Sequence, residues 1–277
     1  MTDPREQRTY EIRIDLRAPR DAVWEAIATD AGLRRWFAPE ARVDLREGGE
    51  LVWNWPGHHE WIHRIEVVEP GARLRTRYDS AVDDGSGGKR PLFVDFLLEG
   101  EGGTTTLRLV QSGFGPEADF DAEYDGIRRG WPVELRSLRL ALERHPGRER
   151  RIAWATTTVE LDPPEAWRRL TGPRGLGCGA HSEDLEEGEP FAFATAQGDR
   201  FTGRALECHV GCLSVEVEAF GGAFLRASVD PVGRQTLVSC WLAAWDASPS
   251  ELDALERRLT AMLERLFPTP ARGLAQT

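Results

Sequence analysis

Twice along this chain a segment that alternates like a strand leads into a short helix, then into a series of β-runs, and ends in a helix of period three to four. In the first round Tyr10, Ile12, Ile14 and Leu16 share one face and Glu11, Arg13, Asp15 and Arg17 the other, the pattern of a half-buried strand. Pro19 then opens a helix with Asp21 in its first turn and Val23, Trp24, Ile27 and Ala28 as its apolar stripe. A second short helix is expected to carry Leu33, Trp36 and Phe37. The runs Leu51–Trp55, Trp61–Val68, Leu74–Tyr78, Leu92–Leu98 and Thr104–Val110 are divided by clusters such as Pro70-Gly71 and Gly100-Glu101-Gly102-Gly103, which suit hairpins and a mainly antiparallel sheet. Between Asp121 and Arg144 the apolar positions Tyr124, Ile127, Trp131, Leu135, Leu138 and Leu142 predict a long helix with one buried face.

The segment His145-Pro146-Gly147-Arg148-Glu149-Arg150-Arg151 is polar and holds a helix-stopping Pro-Gly pair, after which the order restarts. Ile152–Leu161 reads as a strand, Pro163-Pro164-Glu165-Ala166-Trp167 opens a helix, and β-runs follow from Phe191 to Trp245. Ser250–Phe267 reads as the closing helix, with Ser250 and Asp253 as its cap and Leu252, Leu255, Leu259, Met262, Leu263 and Leu266 as its buried face. A length of 277 residues suits two domains, placed at 8–145 and 151–270.

Residues Ala18-Pro19-Arg20-Asp21-Ala22-Val23-Trp24-Glu25-Ala26, Leu33-Arg34-Arg35-Trp36-Phe37, Gln111-Ser112-Gly113-Phe114-Gly115 and Gly130-Trp131-Pro132 resemble the bacterial family homologous to the C-terminal domain of the Hsp90 ATPase activator, within the START/Bet v 1-like (SRPBCC) superfamily. The resemblance extends over about residues 8 to 145 and rests, for the second half, on element order and the Pro-x-x-x-Trp opening. It implies an α+β protein of two helix-grip domains, each a bent antiparallel sheet wrapped around a long C-terminal helix, the second shorter and divergent.

The net charge of −11 divides into −6 over residues 1–145 (21 basic, 27 acidic) and −5 over 146–277 (14 basic, 19 acidic). Neither half has the basic surplus that phosphate neutralisation needs, which argues against nucleic acid and anionic membranes as partners. No apolar run approaches the ~20 residues of a membrane span and the N-terminus carries no apolar signal stretch, so a cytoplasmic protein is expected. Lys89, the single lysine, sits in a glycine-rich stretch that lacks P-loop spacing and reads as a hairpin tip.

His59-Glu60-Trp61-Ile62-His63 matches H-E-x-x-H, yet that zinc chemistry needs a helix, where residues four apart lie ~6 Å from each other. The string follows Pro56-Gly57 and runs into a β-like segment, where its two histidines would stand ~13 Å apart. His58, a neighbour of His59 on the same turn, is read as a member of a weak adventitious site at most. Cys178, His181, Cys208 and Cys212 offer four zinc-type ligands, but apolar strand settings favour Cys208, Cys212 and Cys240 as core residues. Gly175-Leu176-Gly177-Cys178-Gly179-Ala180 fits G-x-G-x-x-A but follows a helix-like segment rather than a strand. No metal and no cofactor are therefore expected.

The aromatic residues carry the functional expectation. Trp53 and Trp55 share a strand face, Trp61 and His63 lie on the next strand, Tyr78 and Phe96 on later ones, and Trp131 and Leu135 on the helix to be gripped. With Trp36 these nine are expected to line a cavity that binds a small hydrophobic or amphipathic ligand, oriented by Asn54, His63, Tyr78 or Gln111. The second copy offers Phe191, Phe193, Phe201 and Trp241. The alternatives are a co-chaperone-like protein acting on a chaperone ATPase, and a cyclase or hydrolase using His63, Tyr78 or Glu66 as acid and base. A protein partner or a homodimer stays open. Limited proteolysis should cut first within residues 146–151; early cleavage inside 10–140 with that segment protected would mean one continuous fold.

Overall fold

The computed structural model describes residues 7–55, 59–83, 88–179 and 184–268. The chain divides into two units, Met1–Glu149 and Arg150–Thr277. In the first, strand β1 (Arg8–Leu16) is followed by helices α1 (Arg20–Ala28) and α2 (Asp30–Arg34), by strands β2 (Glu40–Val43), β3 (Glu50–Trp55), β4 (His59–Glu69), β5 (Arg73–Asp83), β6 (Lys89–Glu99) and β7 (Thr105–Phe114), and by helix α3 (Asp121–Glu143). The strands form one antiparallel sheet of order β1-β7-β6-β5-β4-β3-β2. Sequential hairpins build it from β2 to β7, and β1 closes the far edge by pairing with β7, so α1 and α2 make the crossover from one edge to the other.

The period-2 alternation decides what each sheet face does. Ile14, Leu16, Leu74, Val94, Phe96, Leu107 and Leu109 are buried on the side that α3 covers. The other face carries ion pairs: Arg73 and Arg75 both donate to Asp95, Arg75 reaches Glu66 at 3.1 Å, and Arg108 reaches Glu11 at 2.7 Å. Hydrogen bonding by Arg108 holds the Glu11 carboxyl down at about 2.

In two places the first unit differs from the sequence expectation. α2 stops at Arg34, and Trp36 and Phe37 lie in the turn beyond it, where the Phe37 N–H still donates to the Leu33 carbonyl at 2.8 Å. Pro39 disfavours helical backbone at Ala38, and the Trp36 indole is drawn inward to donate to the Ala26 carbonyl at 2.9 Å. In α3 the buried stripe begins only at Trp131, for none of residues 121–130 is buried. Those first turns are held mainly by polar contacts, Arg8 to Asp121 at 2.5 Å and the Tyr124 hydroxyl to the Thr9 carbonyl at 3.3 Å.

Among the described residues the second unit repeats the order with one strand and one α-helix fewer: β8 (Arg151–Val159), α4 (Pro163–Thr171), β9 (Pro190–Ala194), β10 (Arg200–His209), β11 (Cys212–Val217), β12 (Ala223–Val232), β13 (Gln235–Ala244) and α5 (Pro249–Leu266). Its sheet order, β8-β13-β12-β11-β10-β9, is that of the first sheet without the β2 edge. α5 buries Leu252, Leu255, Leu259, Met262, Leu263 and Leu266 in one cluster with Trp167, Leu213, Val215, Leu225, Val238 and Leu242. The cap of α5 lies two residues ahead of the expected one: Pro249 sets the first helical φ, so Ser248 and Glu251 form the capping box.

Gly32 lets α1 and α2 meet, because a Cβ there would lie 2.0 Å from the Glu25 carbonyl oxygen and 2.7 Å from the Ala26 Cα. Since backbone cannot yield like a side chain, Gly32→Ala should cost about 1–3 kcal/mol or more, read by equilibrium denaturation. Gly130→Ala, where an added Cβ meets open space, should stabilise α3 by up to about 1 kcal/mol in the same measurement.

Candidate functional site

The helix-covered face of the first sheet is not uniformly apolar. In phase with its buried aliphatics stand His63 on β4, Thr76, Tyr78 and Ser80 on β5, and Gln111 on β7, all buried. Burial obliges these groups to pair, and they do so in a chain that ends on α3. The Trp131 indole donates to Gln111 Oε1 at 2.6 Å, Gln111 Nε2 donates to the Tyr78 hydroxyl at 2.7 Å, and Tyr78 donates to Glu123 at 3.4 Å. Ser80 donates to the other Glu123 oxygen at 2.6 Å, so a carboxylate on the first turn of α3 receives two hydroxyls of β5. Beside this chain, His63 Nδ1 lies 3.0 Å from the Thr76 hydroxyl.

Above the polar strip the aromatic rings converge. Phe37 is stacked with Trp36 at 5.0 Å and with Trp131 at 5.4 Å, and meets Trp53 and Trp55 edge-on at 4.8 and 5.1 Å. Trp131 is also edge-on to Phe96 at 5.9 Å and to Trp53 at 6.2 Å. A series of ring contacts thus runs from buried Phe96 through Trp131, Phe37 and Trp55 to Trp61, which is 39% exposed and edge-on to Trp55 at 5.1 Å. Such offset and edge-to-face pairs are the arrangements aromatic quadrupoles favour. The Trp53 indole N–H is buried and, among the described residues, meets no acceptor.

The electrostatics of the strip are those of neutral groups. Burial pushes the His63 imidazole down from 6.5 to about 3. Its ring lies 4.1 Å from Trp53 and 4.7 Å from Tyr78, so it acts as an uncharged aromatic with two hydrogen-bonding nitrogens. Burial first, and then the charge of Glu123, push the Tyr78 phenol above its ordinary value. Neither group is poised to exchange a proton near neutrality.

Of the nine expected cavity residues, Trp53, His63, Tyr78, Phe96 and Trp131 come together in this cluster. Trp55 and Trp61 form its half-buried and exposed end, Trp36 is fully buried with its N–H spent on Ala26, and Leu135 is buried one turn further along α3. Asn54 points the other way, because it alternates with Trp53 and Trp55, and donates to Glu40 at 2.7 Å. Glu66 sits at a bulge and pairs with Arg75 on the opposite face, which removes it as a cavity acid. Phe37, at the centre of the rings, and Glu123, at the end of the polar chain, were not among the expected cavity residues; Phe37 stood only in the family-like stretch of residues 33–37 as a helix residue, and neither periodicity nor motif distinguishes Glu123.

H-E-x-x-H lies on β4, where Leu51 faces His63 and Trp55 faces His59 across an antiparallel ladder, so the helical spacing for zinc does not arise. His58, His181 and the Asp84–Gly87 tip lie outside the described residues, and Lys89 opens β6 as an exposed residue. Among the described residues no three His, Cys, Asp or Glu side chains cluster as metal ligands would, and no helix is long and apolar enough to cross a membrane. The four cysteines are thiols, and burial pushes Cys208 up to about 11 and Cys240 up to about 12. Gly175 to Gly179 forms turns after α4. In the second unit Phe191, Phe193 and Phe201 are in ring contact, but Trp241 alternates with Cys240 and Leu242 and so lies on the face away from the core, against Phe224.

Residues 17–143 match the sequence model of the family described as Activator of Hsp90 ATPase homolog 1-like protein. Among solved structures, protein MLL2253 from Mesorhizobium loti is similar at 23% identity over 50% of this chain and 99% of its own, with a TM-score of 0.44. DynU16, a protein in the dynemicin biosynthetic locus, is similar at 20% identity over 92% of this chain and 95% of its own, with a TM-score of 0.42. The di-domain ARO/CYC BexL from the BE-7585A biosynthetic pathway is similar at 14% identity over 94% and 95%, also with a TM-score of 0.42. No curated protein matches.

The depressed His63 pKa makes folding pH-dependent with a definite sign. Between 6.5 and about 3 the unfolded chain binds a proton at His63 that the folded chain does not, so stability is lost as pH falls through that window. The loss attributable to His63 should reach at most about 1.4 kcal/mol per pH unit. Denaturation of the wild type and of His63→Gln at pH 7 and pH 4.5 should show the wild type losing more stability on acidification; parallel losses would contradict the neutral imidazole.

Proposed function

We propose, from the match of residues 17–143 to the Activator of Hsp90 ATPase homolog 1-like family and from the site itself, that the first unit binds, without chemical turnover, a small, uncharged and largely apolar ligand against its helix-covered sheet face. The observation that carries this reading is the pairing of a ring cluster with uncharged polar side chains: Phe37, Trp53, Trp55, Phe96 and Trp131 supply apolar area, and His63, Tyr78 and Gln111 supply direction. A core that served stability alone would gain nothing from burying an imidazole, a phenol and a carboxamide side by side. The directions of the His63 and Tyr78 pKa values speak for recognition rather than acid–base catalysis, since the base is too weak and the acid too strongly held. The ring series that reaches the surface at Trp61 supports entry of the ligand from that side.

Titration of the neutral dye 1-aminoanthracene into the full chain should give a saturable, single-site rise in fluorescence. Gln111→Leu should weaken it roughly two- to tenfold by breaking the bridge between Trp131 and Tyr78. Absence of saturable binding, together with a native mass spectrum free of any retained small molecule, would overturn the reading and favour a surface-contact role.

A further inference from the structure

We propose that the Phe37 ring occupies, in the unliganded chain, the place of a planar, uncharged aryl ketone or quinone, which would stack on Trp131 and receive the Trp53 N–H on its carbonyl oxygen. This rests on the ligand-binding reading and adds the chemical class of the ligand.

Two independent observations support it. Phe37 has four indoles around a single phenyl ring, stacked with Trp131 at an interplanar angle of 14° and edge-on to Trp53 and Trp55 at 87° and 89°. That is how a flat aromatic guest is held; Phe37 rides on the turn after α2 together with Trp36, whose indole is tied to the Ala26 carbonyl, whereas Trp53 and Trp55 sit on β3 and Trp131 on α3. A side chain on a turn can leave by a few backbone rotations that strands and helices do not permit. The second observation is the Trp53 N–H itself, buried without an acceptor among the described residues on an indole that is only 5% exposed. A phenyl ring has no lone pair to offer it, whereas a carbonyl oxygen on the edge of a ligand ring does.

Charge narrows the class further. The polar groups near the rings, Trp53, His63, Thr76, Tyr78 and Gln111, carry no positive charge, and Glu123 at the end of the strip is an acid. A carboxylate or phosphate ligand would be buried there without a counter-charge, so a neutral oxygen is selected.

Calorimetric titration of the full chain with 2-acetylnaphthalene and 2-ethylnaphthalene, near-isosteres that differ in one carbonyl, tests both parts. Phe37→Ala should bind 2-acetylnaphthalene roughly tenfold more tightly than the wild type, and prefer it to 2-ethylnaphthalene by roughly tenfold, the discrimination one buried hydrogen bond supplies. Adding Trp53→Phe should weaken binding of both probes through the lost indole area and bring their affinities to within about twofold of each other, so that the preference disappears. Weaker binding by Phe37→Ala than by the wild type makes Phe37 a wall and overturns the proposal. Equal affinity for the two probes in Phe37→Ala overturns the carbonyl part while ligand binding stands. Binding of neither probe by wild type or variant overturns both the proposal and the function it rests on. Near-UV circular dichroism confirms the fold, and Phe37→Leu takes the place of Phe37→Ala if the alanine variant does not fold.

Discussion

A polar group placed against an apolar helix must be paired there or cost the fold its stability, and the hydrogen bond from the Trp131 indole to Gln111 is where α3 and the sheet meet that demand. It fixes the rotation of α3, and with it the placement of the Trp131 ring against Phe37, Trp53 and Phe96. The other end of Gln111 orients Tyr78, and Tyr78 with Ser80 holds Glu123 on the first turn of the helix. The N-terminal turns of α3 bury no side chain, so this polar chain does for them what the Trp131 to Ala141 stripe does for the rest.

The two units show one architecture with and without hydrogen-bonding side chains in phase with its core face. Both place a C-terminal helix over an antiparallel sheet with the first strand at one edge and paired with the last. In the second, most strand positions that cluster with α5, among them Ala153, Ala155, Leu213, Val215, Ala227, Val238 and Leu242, are aliphatic, with Phe193, Phe201 and Cys240 beside them, and the buried Ser214, Ser228 and Ser239 fall out of phase with them on the other face. A helix lined with leucines fills that space by dispersion and area burial. The first unit instead fills part of its space with Phe37 from a turn, and keeps hydrogen-bonding groups beneath it. The family match covers the first unit, where this chemistry lies.

Much of the fold was legible in the sequence because its determinants are local. Period-2 alternation, Gly- and Pro-bearing turns and the step of three to four in α3 and α5 each act within a few residues, and the buried face of α5 was named residue by residue. The same alternation, applied strictly, would have turned Asn54 away from the site, since it stands between two inward tryptophans. Helix ends were less legible: α2 stops before Trp36 because an indole finds a carbonyl on α1, and the α5 cap follows Pro249 rather than the polar residues after it.

By itself, then, the sequence determined the alternation of the strands and the buried face of α5, that the chain is built from two rounds of the same elements, and which aromatic side chains were available to a site. Only the tertiary structure decided that Phe37 lies at their centre, that Glu123 closes the polar chain, that Glu66 belongs to an outer ion pair and that the Trp53 N–H meets no acceptor among the described residues. Phe37 and Trp131 are 94 residues apart, Tyr78 and Glu123 45. The physical reason is range: backbone preference and periodicity act between neighbours in the chain, whereas ring contacts, hydrogen-bond pairing and desolvation act between neighbours in space.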